Sequence, residues 1–93
     1  MVKISRKGKK VWVIFNISPK DPLESCILKG SWNNWRGDKM KKKRNGDFYI
    51  TKVLKVGEVY QFGYQLNGDK WIVDKECKRV PSPFGSENSI LKL

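Results

Sequence analysis

Short runs of β-branched and aromatic residues, broken at close intervals by Gly, Pro and Asn, set the pattern of this chain. Within the runs, apolar and polar positions alternate with a period of about two, the signature of half-buried strands. Over residues 10–17, Val11, Val13 and Phe15 fall on one side of the pleat. The turn Pro19-Lys20-Asp21-Pro22 leads to a second strand over residues 25–29. Next comes Gly30-Ser31-Trp32-Asn33-Asn34-Trp35-Arg36-Gly37, a polar loop carrying two tryptophans. Residues 40–44 read as a short edge strand whose lysines oppose sheet-to-sheet pairing. Asn45-Gly46 is the strongest hairpin signal, and it opens a strand over 47–54 in which Phe48, Ile50 and Leu54 share a face. Residues 59–66 alternate cleanly, with Tyr60, Phe62, Tyr64 and Leu66 on one side and Gln61, Gly63 and Gln65 on the other. Asn67-Gly68 predicts a second hairpin returning through Trp71-Ile72-Val73. Pro81 and Pro83 interrupt an irregular stretch, and residues 89–93 form a closing strand. Seven or eight strands joined this tightly predict an all-β, antiparallel sandwich.

Length and charge narrow the picture. At 93 residues there is room for one domain, spanning residues 1–93, with no repeat or interdomain linker. The chain begins at Met1, which fits a small free-standing protein or an amino-terminal piece of a larger enzyme. Twenty Lys plus Arg against nine carboxylates give a formal charge of +11. That excess suits anionic partners, but lysines also solvate exposed strands and protect sheet edges, and this second role is the expectation. The apolar run over residues 11–17 is short and broken at Asn16, so it reads as a strand and not as the core of a signal peptide. No stretch approaches the roughly 20 apolar residues needed to cross a bilayer, so no membrane partner is expected. Cys26 and Cys77 are the two cysteines, without CxxC spacing. Cys26 reads as a small buried hydrophobe, and reduced thiols point to the cytoplasm.

Candidate chemistry is sparse. The chain has no histidine, which removes the commonest general base and metal ligand together. No phosphate-binding glycine loop occurs. Asp69, Asp74 and Glu76 are the only clustered carboxylates, and a glycosidase needs two about 5–9 Å apart in a cleft deep enough to raise one pKa. They read as turn and surface acids. The expectation is a non-enzyme without cofactor or metal.

The loop Gly30-Ser31-Trp32-Asn33-Asn34-Trp35 resembles the G-S-F-N-x-W loop of carbohydrate-binding module family 48. Those modules are early-set immunoglobulin-like domains that precede isoamylase and branching-enzyme barrels and occur in the β subunit of AMP-activated kinase. The resemblance continues through Met40…Asn45-Gly46-Asp47-Phe48 and Gly57-Glu58-Val59-Tyr60-Gln61-Phe62-Gly63-Tyr64. It goes on through Leu66-Asn67-Gly68-Asp69-Lys70-Trp71-Ile72-Val73-Asp74 and ends at Pro83-Phe84-Gly85-Ser86-Glu87-Asn88-Ser89-Ile90. It implies an immunoglobulin-like sandwich that binds glycogen, starch or malto-oligosaccharides without catalysis. On this resemblance Trp35 and Trp71 match the stacking platform, Asn88 a rim amide, Ser86 a neighbouring hydroxyl and Phe84 an apolar prop. Trp32 stands where the family has Phe and is expected in the core, as is Trp12. Gly63 stands where many binding members carry Lys or Arg, which leaves Lys70 as the substitute cation.

Two other functions compete. The same aromatics could serve as hot spots for docking onto a glycan-metabolising enzyme. A basic patch of Lys39–Arg44 with Lys7, Lys9 and Lys10 could bind nucleic acid, a partner the sequence ranks last.

Overall fold

The computed structural model describes residues 2–20, 23–68, 70–74, 76–81 and 87–93. In chain order the strands are β1 (Val2–Lys7), β2 (Lys10–Ile17), β3 (Cys26–Gly30), β4 (Asp38–Lys39) and β5 (Lys41–Lys42). They continue with β6 (Phe48–Lys55), β7 (Val59–Leu66), β8 (Lys70–Ile72), β9 (Arg79–Pro81) and β10 (Glu87–Lys92). One four-stranded sheet has the order β1-β2-β6-β5. The other, six-stranded, runs β4-β3-β7-β10-β9, with β8 also paired to β7. All pairings are antiparallel, and the two sheets pack into an all-β sandwich.

Alternation decides what fills the space between the sheets. Val11, Val13 and Phe15 of β2 are fully buried and meet Leu28 of β3 with Phe62 and Tyr64 of β7. Phe15 packs edge-on to Phe62 at 5.1 Å between ring centroids, and Phe62 on Tyr64 at 5.8 Å. Each such side chain contributes roughly 1.5–3 kcal/mol by leaving water. At one edge the sheets are joined by Lys52 of β6 and Asp38 of β4, 2.9 Å apart and partly buried. Asn33 Nδ2 donates to the same Asp38 oxygen at 3.3 Å. Deeper in, the Cys26 thiol donates to Met40 Sδ at 3.4 Å.

Asn67 and Gly68 both take positive φ, 49° and 84°, the geometry of a type I′ hairpin. The Asn67 side chain then accepts the Glu24 and Ser25 amides at 2.8 and 3.2 Å, tying the β7–β8 turn to the start of β3. Among the described residues there are ten strands, more than the seven or eight predicted. The additions are short or peripheral. β1 pairs fully with β2 across a turn at Gly8 (φ 60°), ahead of the first strand read from the sequence. β9 ends in Pro81 and pairs only with β10, an edge position where a missing N–H does no harm. Among the described residues no helix is long and apolar enough to cross a membrane.

Burial pushes the Cys26 thiol up to about 11 from its ordinary 9.0. A group whose pKa is higher folded than unfolded contributes stability that is complete below the unfolded value and is lost as pH rises through the folded one. Burial raises Tyr64 as well, with the Asp74 charge adding to it. Stability should therefore be flat at neutral pH and fall between about pH 9 and 11. Melting curves across that window should show a shallower fall for Cys26→Ala than for the wild type. Equal slopes would exclude Cys26 as a titrating group.

Candidate functional site

Because the inner face of β7 is committed to the core, Gln61, Gly63 and Gln65 turn outward. Pairing assembles their neighbours. Across one edge of β7, Lys29 of β3 lies opposite Gly63 and Ile27 opposite Gln65. Across the other, Trp71 of β8 lies opposite Gln65.

Gly63 is where the indole of Trp71 rests. A Cβ at residue 63 would collide with Cζ2, Cε2 and Cη2 of that ring, so the absence of a side chain is what lets the ring lie on the sheet. The position that looked like a missing donor is a cradle. Trp71 Nε1–H donates to the Glu87 carbonyl at 2.9 Å, which fixes the ring's rotation.

Trp35 reaches the same place by a different route. After Gly30 the chain makes one 3-10 turn, Ser31–Asn33, which Asn34 ends in the left-handed region at φ 60°. Trp35 follows with φ 63°, and its N–H closes back on the Gly30 carbonyl at 2.9 Å. Asn tolerates this conformation; a bulky aromatic rarely adopts it, at a cost of about 1–3 kcal/mol. The strained turn aims the Trp35 indole at Trp71, with ring centroids 6.5 Å apart and planes inclined by 53°. Trp35 is 37% exposed, and Trp71 is half-buried. Gly37 then folds onto the outer face of β3, where a Cβ would stand 2.7 Å from Ile27.

The remaining predicted residues divide. Asn88 is buried at 5% exposure, and its amide donates to Gln61 Oε1 at 3.1 Å. It is therefore placed to fix the Gln61 side chain and is itself closed to solvent. The Gln61 N–H donates to Ser31 Oγ at 3.0 Å, so the loop and the final strand hold this residue jointly. Lys70 pairs with Leu66, a core residue, and so sits on the opposite side of the sheet from Trp71. Phe84 and Ser86 lie outside the described residues. Trp32 packs into the core against Phe15 (5.4 Å), Tyr60 (6.0 Å) and Phe62 (6.3 Å). Trp12 is half-buried on the outer face of the four-stranded sheet, a different position from the core one expected.

Lys29 and Gln61 are the two residues the sequence reading did not single out. Lys29 supplies a half-buried cation directly across from Gly63. The signal was present: Leu28 is an inward residue, so Lys29 must turn outward, but only the β3–β7 register shows what it faces. The surface offers two inclined aromatic plates, a side-chain amide fixed by Asn88 and an ammonium.

No protein-family model matches the chain, and no curated protein matches it.

Two substitutions test the geometry. Gly63→Ala should lower Tm by several degrees, because overpacking of this kind costs about 1–3 kcal/mol, and it should change the near-UV dichroism of the displaced indole. An unaltered spectrum and Tm would show that Trp71 does not rest on residue 63. Trp35→Gly should leave Tm within about 4 °C of wild type, since relief of the left-handed strain offsets lost ring contact.

Proposed function

We propose that this chain is a non-catalytic module that binds α-glucans, the class of glycogen, starch and malto-oligosaccharides, on the Trp35–Trp71 surface. The observation that carries the reading is the meeting of two partly open indoles on one face, one in a strained turn and the other cradled on a glycine. A glucose ring presents an apolar C–H face and a rim of hydroxyls. The indoles suit the face; the Gln61 amide and Lys29 ammonium suit the rim. In an α-linked chain successive rings are turned relative to one another, which fits plates inclined by 53° better than coplanar ones.

The expected strength follows from stacking. Flat rings on aromatics contribute roughly 1–3 kcal/mol each, so two give about 2–6 kcal/mol, around the ~4 kcal/mol of a millimolar complex. Polymeric glucan raises the apparent affinity by offering many overlapping sites. A cytoplasmic setting, where thiols stay reduced, belongs to the same proposal.

The test is retardation in native gels cast with glycogen and run with reversed polarity for a cationic protein. Wild type should be retarded, and Trp71→Ala and Trp35→Gly should each migrate almost as if glycogen were absent. Since neutral glucan releases no counterions, retention should barely change between low and moderate salt. Wild-type mobility that is the same with and without glycogen defeats the proposal.

A further inference from the structure

A neutral sugar has no use for a charge of +11, and the topology shows where much of that charge collects. None of the strands β1, β2, β5 and β6 contains an Asp or Glu. The register stacks their outward residues into cross-strand rungs. Lys7, Lys10 and Lys55 form one rung on three adjacent strands, all exposed. Next to it stand Ser5, Trp12 and Val53; then Lys3, Ile14 and Thr51; and finally Asn16, Tyr49 and Lys41. Like charges placed directly opposite repel, and no strand of the sheet supplies a carboxylate to balance them. The centre is open and apolar, with Ile14 38% and Val53 53% exposed around the half-buried Trp12.

We infer that this face binds single-stranded nucleic acid, with phosphates on the Lys7–Lys10–Lys55 rung and a base stacked on Trp12. Neighbouring rungs on one face are two residues, about 7 Å, apart, so an anion site and a flat ring site sit side by side. That pairing of backbone charge with an aromatic platform is how single strands are held without sequence preference. A duplex keeps its bases stacked inside and has nothing to offer Trp12. A bilayer would need the apolar residues on a protruding tip, whereas Trp12 and Ile14 lie mid-strand on a sheet face. The face belongs to the opposite sheet from Trp35 and Trp71, so it stands or falls independently of glucan binding.

Fluorescence anisotropy of labelled oligo(dT) and oligo(rU) against the full chain tests it. With three phosphates engaged, one for each lysine of the rung, the log–log salt slope is about −2.1, so affinity should fall roughly 18-fold between 50 and 200 mM salt. Trp12→Ala should weaken binding between about 5-fold and 150-fold. The double variant Lys10→Glu/Lys55→Glu alters only exposed side chains and should abolish it, while Trp71→Ala should leave it unchanged. Absence of binding at 50 mM salt overturns the inference. So does equal affinity for a duplex of the same length, or for phosphatidylserine vesicles in place of the oligonucleotides. If Trp12→Ala folds and binds like wild type, the face is a charge-only surface and the inference also fails.

Discussion

Two missing β-carbons, on adjacent strands of one sheet, decide how this molecule is divided between scaffold and surface. At Gly30 on β3 the inner face of the sheet is bare, and the ring of Trp32 lies on it, closed in by Phe15, Tyr60 and Phe62. At Gly63 on β7 the outer face is bare, and Trp71 lies there. Lys29, one residue before Gly30, is directly opposite Gly63. The same device thus works on both sides of the sheet a few ångströms apart, once to fill the core and once to lay a flat plate on the surface. The core copy leaves the Trp32 Nε1 buried with no hydrogen-bond partner among the described residues, whereas the surface copy satisfies its Nε1 on the Glu87 carbonyl. Orientation was secured at the surface in preference to the core.

The sandwich also separates two electrostatic environments. On the six-stranded sheet Lys29, directly across from Gly63, is half-buried. On the four-stranded sheet Lys7, Lys10 and Lys55 are exposed and stand against one another without acids in their strands. Asp38, which pairs with Lys52, bridges the two layers at their edge. The two proposed binding faces thus lie on different sheets, each with its own electrostatic surroundings.

How much of this was legible beforehand depended on how far each conclusion reached along the chain. The β7 strand and both Asn-Gly turns followed from local pattern alone, since alternation and positive-φ residues act over a few positions. The strand β1 was missed because the charged residues that protect an edge strand also mask the alternation of Val2 and Ile4. Trp35 and Trp71 could be named from their loop and hairpin, but their adjacency depends on the left-handed pair Asn34–Trp35, which no propensity anticipates. Lys70 was named because it neighbours Trp71 in sequence, yet consecutive strand residues face opposite ways and cross-strand partners, such as Lys29 and Gly63, face the same way. Gly63 was read as an absence for a related reason: what occupies the space above a glycine comes from another strand.

The sulfur pair in the interior gives the fold a chemical lifetime as well as a thermodynamic one. Cys26 and Met40 touch in a dry environment, and the thiol is held neutral there, which protects it from attack at ordinary pH. A thioether does not depend on ionisation to react, so for Met40 the protection is burial alone. Conversion of Met40 to the sulfoxide would set a polar, chiral group where a soft apolar one belongs, between β3 and the strand that follows it. Met40 is 3% exposed and lies between β4 and β5, so damage from within waits on an opening at that border.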